Sequence, residues 1–303
     1  MTLSQGSRSS LAYVAETTFG TTPTTPTLVN LPFNTHSLDL TKERVQGNEI
    51  QSDRMARVDR HGNRNAAGSV SVDLRMADYD AFLESAMFSS FATNTLKTGV
   101  TPKYFTIEDT AADITQFRKF TGMAVSSASF SIAPNQMVTM DMDFVGKNMT
   151  QSATSATASP VTAPSTNAPF DSYSGVVELG GAGVTIVASI DFSVTNSLAP
   201  LFVVGDASAQ QLEFGRSVVE GNMTLYYEDE TVINRFLNET ESAVEVSVDD
   251  PTGGNAYTFL FPRVKYNGAS VPVANEQSRL ITVPFVSLYD TTEASNLVIT
   301  RSV

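Results

Sequence analysis

Val70, Val72 and Leu74 alternate with Ser71, Asp73 and Arg75, and Met223, Leu225 and Tyr227 repeat that spacing further along the chain. A period of two predicts strands with one buried face. After the first strand the pattern changes. Tyr79, Phe82, Leu83, Ala86 and Met87 follow helical spacing and would line one face of a short helix, with Asp78 as a plausible N-cap. The corresponding later segment, Thr231 to Glu239, carries Val232, Ile233, Phe236 and Leu237. Tyr79, Phe82, Leu83, Phe236 and Leu237 are therefore the expected core-facing helix residues. A hairpin follows the first helix. Phe130 and Ile132 alternate with serines, Ala133-Pro134-Asn135-Gln136 supplies turn residues, and Val138, Met140, Met142 and Phe144 return opposite Thr139, Asp141 and Asp143. Leu179-Gly180-Gly181-Ala182-Gly183-Val184 reads as a second hairpin turn, between Val176 and Ile186. Each unit is expected to be an antiparallel sheet or small barrel that shelters one helix, since short helices are marginal alone in water.

These segments recur in the same order. Leu38-Asp39-Leu40 resembles Ile190-Asp191-Phe192, Gly68-Ser69-Val70-Ser71-Val72 resembles Gly221-Asn222-Met223-Thr224-Leu225, and Phe82-Leu83 matches Phe236-Leu237. Residues 128–146 align without a gap on residues 269–287. Ala128, Ser129, Ala133, Gln136, Phe144 and Val145 are identical there to Ala269, Ser270, Ala274, Gln277, Phe285 and Val286. A duplicated chain is expected: a first domain over residues 1–147, a Ser/Thr/Ala/Pro-rich linker or exposed loop over 148–169, and a second domain over 170–303. The fold class that results is mainly β, with two similar antiparallel β-sandwich or barrel domains, each flanked by one short helix.

Charge narrows the function. Formal net charge is −13. It is uneven: residues 1–147 hold 13 basic against 15 acidic side chains, a balance of −2, and residues 148–303 hold 6 against 17, a balance of −11. An acidic surface disfavours tight nucleic-acid binding but suits one that nucleic acid must slide past. Cysteine is absent, which excludes disulfides and thiolate metal sites. No run of about 18 apolar residues is present, and the opening residues lack the apolar core of a signal peptide, so neither a membrane span nor export is expected. The two histidines, His36 and His61, have no partner at metal-ligand spacing, and no nucleophile elbow surrounds any serine. Asp78/Asp80 and Asp141/Asp143 are too few oxygens for a cation site. No enzyme activity and no cofactor are expected. Arg54, Arg57, Arg60 and Arg64 cluster in the polar stretch Thr41–Ala67, interrupted by Asp53 and Asp59. That stretch is either a solvated loop or a contact with a neighbour's acids, for which Asp229, Glu230, Asp249 and Asp250 are candidates.

The stretch Tyr13-Val14-Ala15-Glu16-Thr17-Thr18-Phe19-Gly20-Thr21-Thr22-Pro23 resembles the opening of a family of major tail tube proteins of long-tailed, siphovirus-type bacteriophages, and Glu49-Ile50-Gln51-Ser52-Asp53-Arg54 resembles a further element of it. The specific motifs lie in the first 90 or so residues. The resemblance implies a structural virion protein, made in the host cytoplasm, whose subunits join sheets edge to edge into stacked rings around a channel for DNA. Residues 1–30 would be an extended arm. Thr41–Ala67, with Arg54, Arg57, Arg60 and Arg64, would be the loop that reaches the adjacent ring. The face bearing Asp39, Asp73, Asp141 and Asp143 would line the lumen, letting DNA pass without specific binding. A duplicated chain would give a homotrimeric ring with pseudo-sixfold symmetry, the alternative being a homohexameric ring. Other tail proteins would meet the tube ends, and a sheathless tail is favoured. A surface-binding β module, such as an adhesin or spike, is the alternative of a different class.

Overall fold

The computed structural model describes residues 3–53, 55, 57–157, 159–250, 254–273, 276 and 278–302. The chain is mainly β, with antiparallel ladders throughout. Its first half runs β1 (Ser9–Glu16), β2 (Val29–Leu31), β3 (Thr35–His36), β4 (Asp39–Gln46), β5 (Asp59–Asp73), α1 (Asp80–Ala86), β6 (Thr95–Lys97), β7 (Tyr104–Ala111), β8 (Gln116–Ile132), β9 (Thr139–Gly146) and β10 (Asn148–Ser152). Its second half runs β11 (Val176–Leu179), β12 (Val187–Thr195), β13 (Ala199–Val203), β14 (Asp206–Glu213), β15 (Val218–Tyr226), α2 (Thr231–Leu237), β16 (Ser242–Asp249), β17 (Ala256–Tyr266), β18 (Leu280–Ser287) and β19 (Val298–Ser302).

The long strand β8 belongs to two layers. Its first part pairs with β7 and β10, and β7 continues to β1 and β2. Its last part pairs with β9, then β5, then β4. In the second half the long strand is β17. Its first part pairs with β16 and β19, β16 continues to β11, and its end pairs with β18, then β15, then β12. The pairing order is thus the same in both halves. The ladder between β8 and β9 shifts register between Val125 and Ser127. The matching ladder shifts between Tyr266, opposite Phe285, and Ser270, opposite Thr282. Ala274 and Gln277, two of the repeated turn residues, lie outside the described residues.

Gly68 and Gly221 occupy matched positions for a steric reason. A Cβ at Gly68 would lie 2.5 Å from the Ser37 carbonyl oxygen, and one at Gly221 would lie 2.5 Å from the Asp191 carbonyl oxygen. In both halves the backbone of the preceding strand passes where a side chain would stand, so only glycine fits.

One apolar core runs through both halves. The alternating residues Val70, Val72, Met140, Met142 and Phe144 are sealed in the first half, and Met223, Leu225, Val283 and Phe285 in the second. Tyr79, Phe82 and Leu83 are each 1% exposed, and Phe82 meets Tyr13 at 4.6 Å between ring centroids. Burial pushes the Tyr13 hydroxyl up to about 12, so it remains protonated. Four sequence expectations need correction. Leu237 is 65% exposed, and α2 seats only through the half-buried Val232, Ile233 and Phe236. The strand in the place of β1 is also shorter, β11 having 4 residues where β1 has 8. Asp78 does not cap α1; Tyr79 holds that place, and the Asp78 carboxylate accepts the Ser165 amide at 2.8 Å. The stretch expected as an N-terminal arm is strand and core from Ser9 onward, with Leu11 and Leu28 wholly buried. The stretch 148–169 opens with β10 and is then strapped to the first half. The Glu108 carboxylate accepts from Ser155 and Ala156, Leu28 and Asn30 exchange backbone bonds with Thr162, and Leu74 exchanges with Phe170 through Val138.

Candidate functional site

The two inner sheets meet inside one chain. β8 and β12 pair antiparallel, with Ile132 opposite Ile190, Phe130 opposite Phe192 and Ala128 opposite Val194. Phe130 and Phe192 stack at 4.7 Å with 17° between their planes, and Phe259 closes on both at 5.1 Å. The result is one uninterrupted sheet: β4, β5, β9, β8, β12, β15, β18.

Side chains alternate across a pleat, so this sheet has an apolar face on the core and a second face outside. Residues aligned across the ladders show what that outer face carries. One row reads Ser71, Asp141, Ser129, Ser193, Glu220; the next reads Asp73, Thr139, Ser131, Asp191, Asn222. Hydroxyls, carboxylates and the Asn222 carboxamide fill both rows, without a basic side chain, and on β18 the rows end in Val286 and Pro284. Ser127 donates to Asp143 at 2.7 Å and Ser131 donates to Asp191 at 2.5 Å, the latter across the joint between the halves. Asp141, Asp143, Asp191 and Glu220 are exposed on it, and Asp73 is half-buried, accepting from Asn34. Asp39, on β4, is exposed and lies 3.9 Å from Arg118. The face is slightly concave where Ser129, Ser131, Asp141, Asp191 and Glu220 meet.

Thr41–Ala67 is for the most part the extended end of the β4–β5 hairpin, whose strands run to Gln46 and resume at Asp59. Arg57 pairs with Asp53 at the tip, and Arg44 pairs with Asp59 at 2.5 Å. Arg60 and Arg64 stand on β5 without an ion pair among the described residues, and Arg54 lies outside them. Val45, Ile50, Met55 and Val58 are exposed on the same arm. In the second half the β13–β14 ribbon occupies the same place in the chain order, and β14 lies against β5. The Ser208 amide holds the Asp206 carboxyl below the usual carboxylate range, with Gln210 and the positive field of Lys147 and Arg64 adding. Among the proposed acidic partners, Asp229 and Glu230 are exposed beside α2, Asp249 is half-buried, and Asp250 is buried and so cannot serve as a docking surface.

The Glu16–Gly20 motif is a structural clamp. The Glu16 carboxylate accepts from the Gly20 amide at 2.6 Å, the Thr106 hydroxyl at 2.7 Å and the Gly122 amide at 2.9 Å. Gly20 and Gly122 both hold positive φ, so the motif ties two tight bends to β7. A second clamp joins the halves and had no sequence signal. Asp80, at the start of α1, accepts from the Tyr257 hydroxyl and from Arg301, whose guanidinium also lies 4.5 Å over the Phe91 ring. Burial, then the Asp80 charge, keeps Tyr257 protonated far above ordinary tyrosine.

His36 lies 3.8 Å from Asp109, and burial lowers its pKa against the pull of that carboxylate. His61 is exposed on the arm. Among the described residues no group of three or more His, Asp or Glu side chains could hold a metal ion, and no helix is long and apolar enough to cross a membrane. What the molecule presents is a broad hydroxyl-and-carboxylate face, strand edges and an arm.

No curated protein matches the sequence. A family model described as phage tail tube protein matches residues 6–287. With a match over nearly the whole chain, on a fold of this kind, the chain belongs to the phage tail tube protein family.

Proposed function

We propose that three copies of this chain close into a ring of pseudo-sixfold symmetry, that rings stack into the tail tube, and that the Ser/Asp face lines its bore. Family membership gives the coarse role: a structural protein of the virion that self-assembles into a tail tube. The finer reading rests on one observation. The β8–β12 ladder joins two half-sheets of like topology, edge against edge, with a polar face that runs on across the joint. A sheet that already extends itself this way within the chain leaves two terminal borders, and unpaired borders demand partners. Repeating the junction between copies closes the sheet into a barrel through a heterologous contact. In this reading residues 1–147 and 170–303 are two copies of one module, and six modules need three chains. The alternative, a surface-binding module, has no need for complementary borders.

Native mass spectrometry of isolated rings, with imaging of tubes in cross-section, tests the stoichiometry. Three copies per ring are expected. Six copies per ring, or a chain that stays monomeric at every concentration, overturns the trimer.

The bore chemistry has its own test. Acidic side chains around a lumen repel phosphate and keep DNA mobile. Assembled tubes carrying Asp141→Lys and Asp191→Lys are expected to retain duplex DNA at low salt and release it as salt rises, since phosphate neutralisation is strongly salt-dependent. Wild-type tubes are expected to retain none. Equal retention by both would place these residues outside the lumen.

A further inference from the structure

We infer that the joint between neighbouring copies repeats the register of the β8–β12 joint, with residues 269–273 of one copy lying antiparallel to residues 36–40 of the next, at the start of β4, Val271 opposite Leu38 and Ser270 opposite Asp39. This rests on the ring reading above and deepens it by naming the two borders and their alignment.

The equivalence comes from the pairings. β12 and β4 each begin the inner sheet of their half, and with Gly68 and Gly221 as matched residues their partners Leu38 and Phe192 are matched as well, as are Asp39 and Ser193. Residues 128–132 of β8 and residues 269–273 each end one, on the far side of β9 and β18. In the intrachain joint residues 128–132 meet residues 190–194. Carrying that alignment to the matched segments places Ala269, Ser270, Val271, Pro272 and Val273 opposite Leu40, Asp39, Leu38, Ser37 and His36.

Both borders are open in the chain and face the right way. Among the described residues β4 pairs with β5 alone. The Leu40 amide points away from β5 and is bonded only by its neighbour's carboxylate, Asp39 Oδ1, at 2.8 Å. Residues 269–273 touch β18 through Ser270, which exchanges both backbone bonds with Thr282 at 3.0 Å. Backbone groups alternate sides along a strand. Ala269, Val271 and Val273 therefore present their amides to the open side, where Val271 takes only the Arg279 side chain on its carbonyl, at 3.1 Å.

The phase agrees as well. At the intrachain joint the Asn196 amide donates to the Ser126 carbonyl at 2.9 Å, so Ala128, Phe130 and Ile132 carry the ladder bonds there. Their counterparts are Ala269, Val271 and Val273, which all have an N–H. The one proline, Pro272, corresponds to Ser131, which carries none of those bonds, so it does not obstruct the joint. The side chains fit. Leu38 is buried and Val271 half-buried against the core, and they would cover each other where Phe130 and Phe192 do within the chain. Asp39 and Ser270 would stand side by side on the outer face, as Ser193 and Ser129 do.

The absence of cysteine makes the register directly measurable. Asp39 and Ser270 would form a non-hydrogen-bonded pair, with Cα atoms about 4.5 Å apart, within the span a disulfide bridges. Chains carrying Asp39→Cys and Ser270→Cys, oxidised as assembled rings, are expected to run on a non-reducing gel as covalent oligomers up to the full ring. Pairing Ser270→Cys with Thr41→Cys, displaced by two residues, is expected to give at least tenfold less. A companion variant, Val271→Pro, removes one border amide that β18 does not use. It is expected to keep the wild-type unfolding midpoint and yield no rings. Rings that form but cross-link only in the displaced pair, or not at all, overturn the register and leave the ring intact. Wild-type chains that never form rings overturn both.

Discussion

Replacing Asp80 by alanine is expected to lower the unfolding free energy by about 3 kcal/mol, the size seen when one partner of a largely buried ion pair is removed. Asp80 sits where the halves meet, accepting from the Tyr257 hydroxyl on one oxygen and from Arg301 on the other. The side chains of Arg301 and Asp80 are only 26% and 17% exposed, so water cannot fully replace the lost carboxylate. The Arg301 Nε already lacks a partner, and the substitution would leave a cation held by little more than the Phe91 ring and the Thr93 carbonyl. A thermal scan should show the midpoint falling by roughly 6–12 °C. Asp80→Asn keeps an acceptor for Tyr257 and should recover part of the loss. An unchanged midpoint for Asp80→Ala would mean that the halves are held by the sheet alone.

Phe192→Ala is expected to cost about 3–5 kcal/mol, the range for truncating a buried phenylalanine. The ring is 2% exposed and touches three others, Phe130 at 4.7 Å, Phe259 at 5.1 Å and Phe261 at 5.0 Å. Nothing near the site can collapse cheaply into the void, because the surrounding strands are held in register on both sides by β8 and β15. Urea unfolding followed by tyrosine fluorescence gives the midpoint, since tryptophan is absent. Phe192→Leu should lose much less. A loss below about 1 kcal/mol for the alanine variant would show that the joint is loosely packed, contrary to the stacked geometry.

Much of this fold was readable where one face of an element is buried. The alternation at Val138–Phe144 became β9 with its methionines sealed, the helical spacing at Tyr79–Met87 became α1, and the glycines at 180, 181 and 183 turn a hairpin after β11. The misreadings share a cause. Thr41–Ala67 looked like a loop because its strands project beyond the core, so neither face needs apolar residues and no period of two is written there. Residues 148–169 read as a linker or an exposed loop, and their ties to the first half were hidden because they are hydrogen bonds to Glu108, Asp78 and backbone groups, which leave no hydrophobic trace. The Asp80–Arg301 tie spans 221 positions between two ordinary charged residues, and only the folded chain brings them together. Leu237 was misread because a helical stripe marks a face able to be covered, whereas the extent of the cover is set by the strands packed on it and is not written in the helix. Of the face itself, Asp141 and Asp143 followed from alternation alone, while its extension through Ser131, Asp191 and Glu220 depends on a pairing between strands of different halves.

The β8–β12 ladder also bears on how a tube could be put together in a dilute cell. A contact made between segments of a single polypeptide forms at an effective concentration set by the tether, whatever the amount of protein present. If every second seam is made this way, three molecules must find one another instead of six. Nucleation then depends on a lower power of concentration. Such a chain reaches its first closed annulus early, while expression is still low.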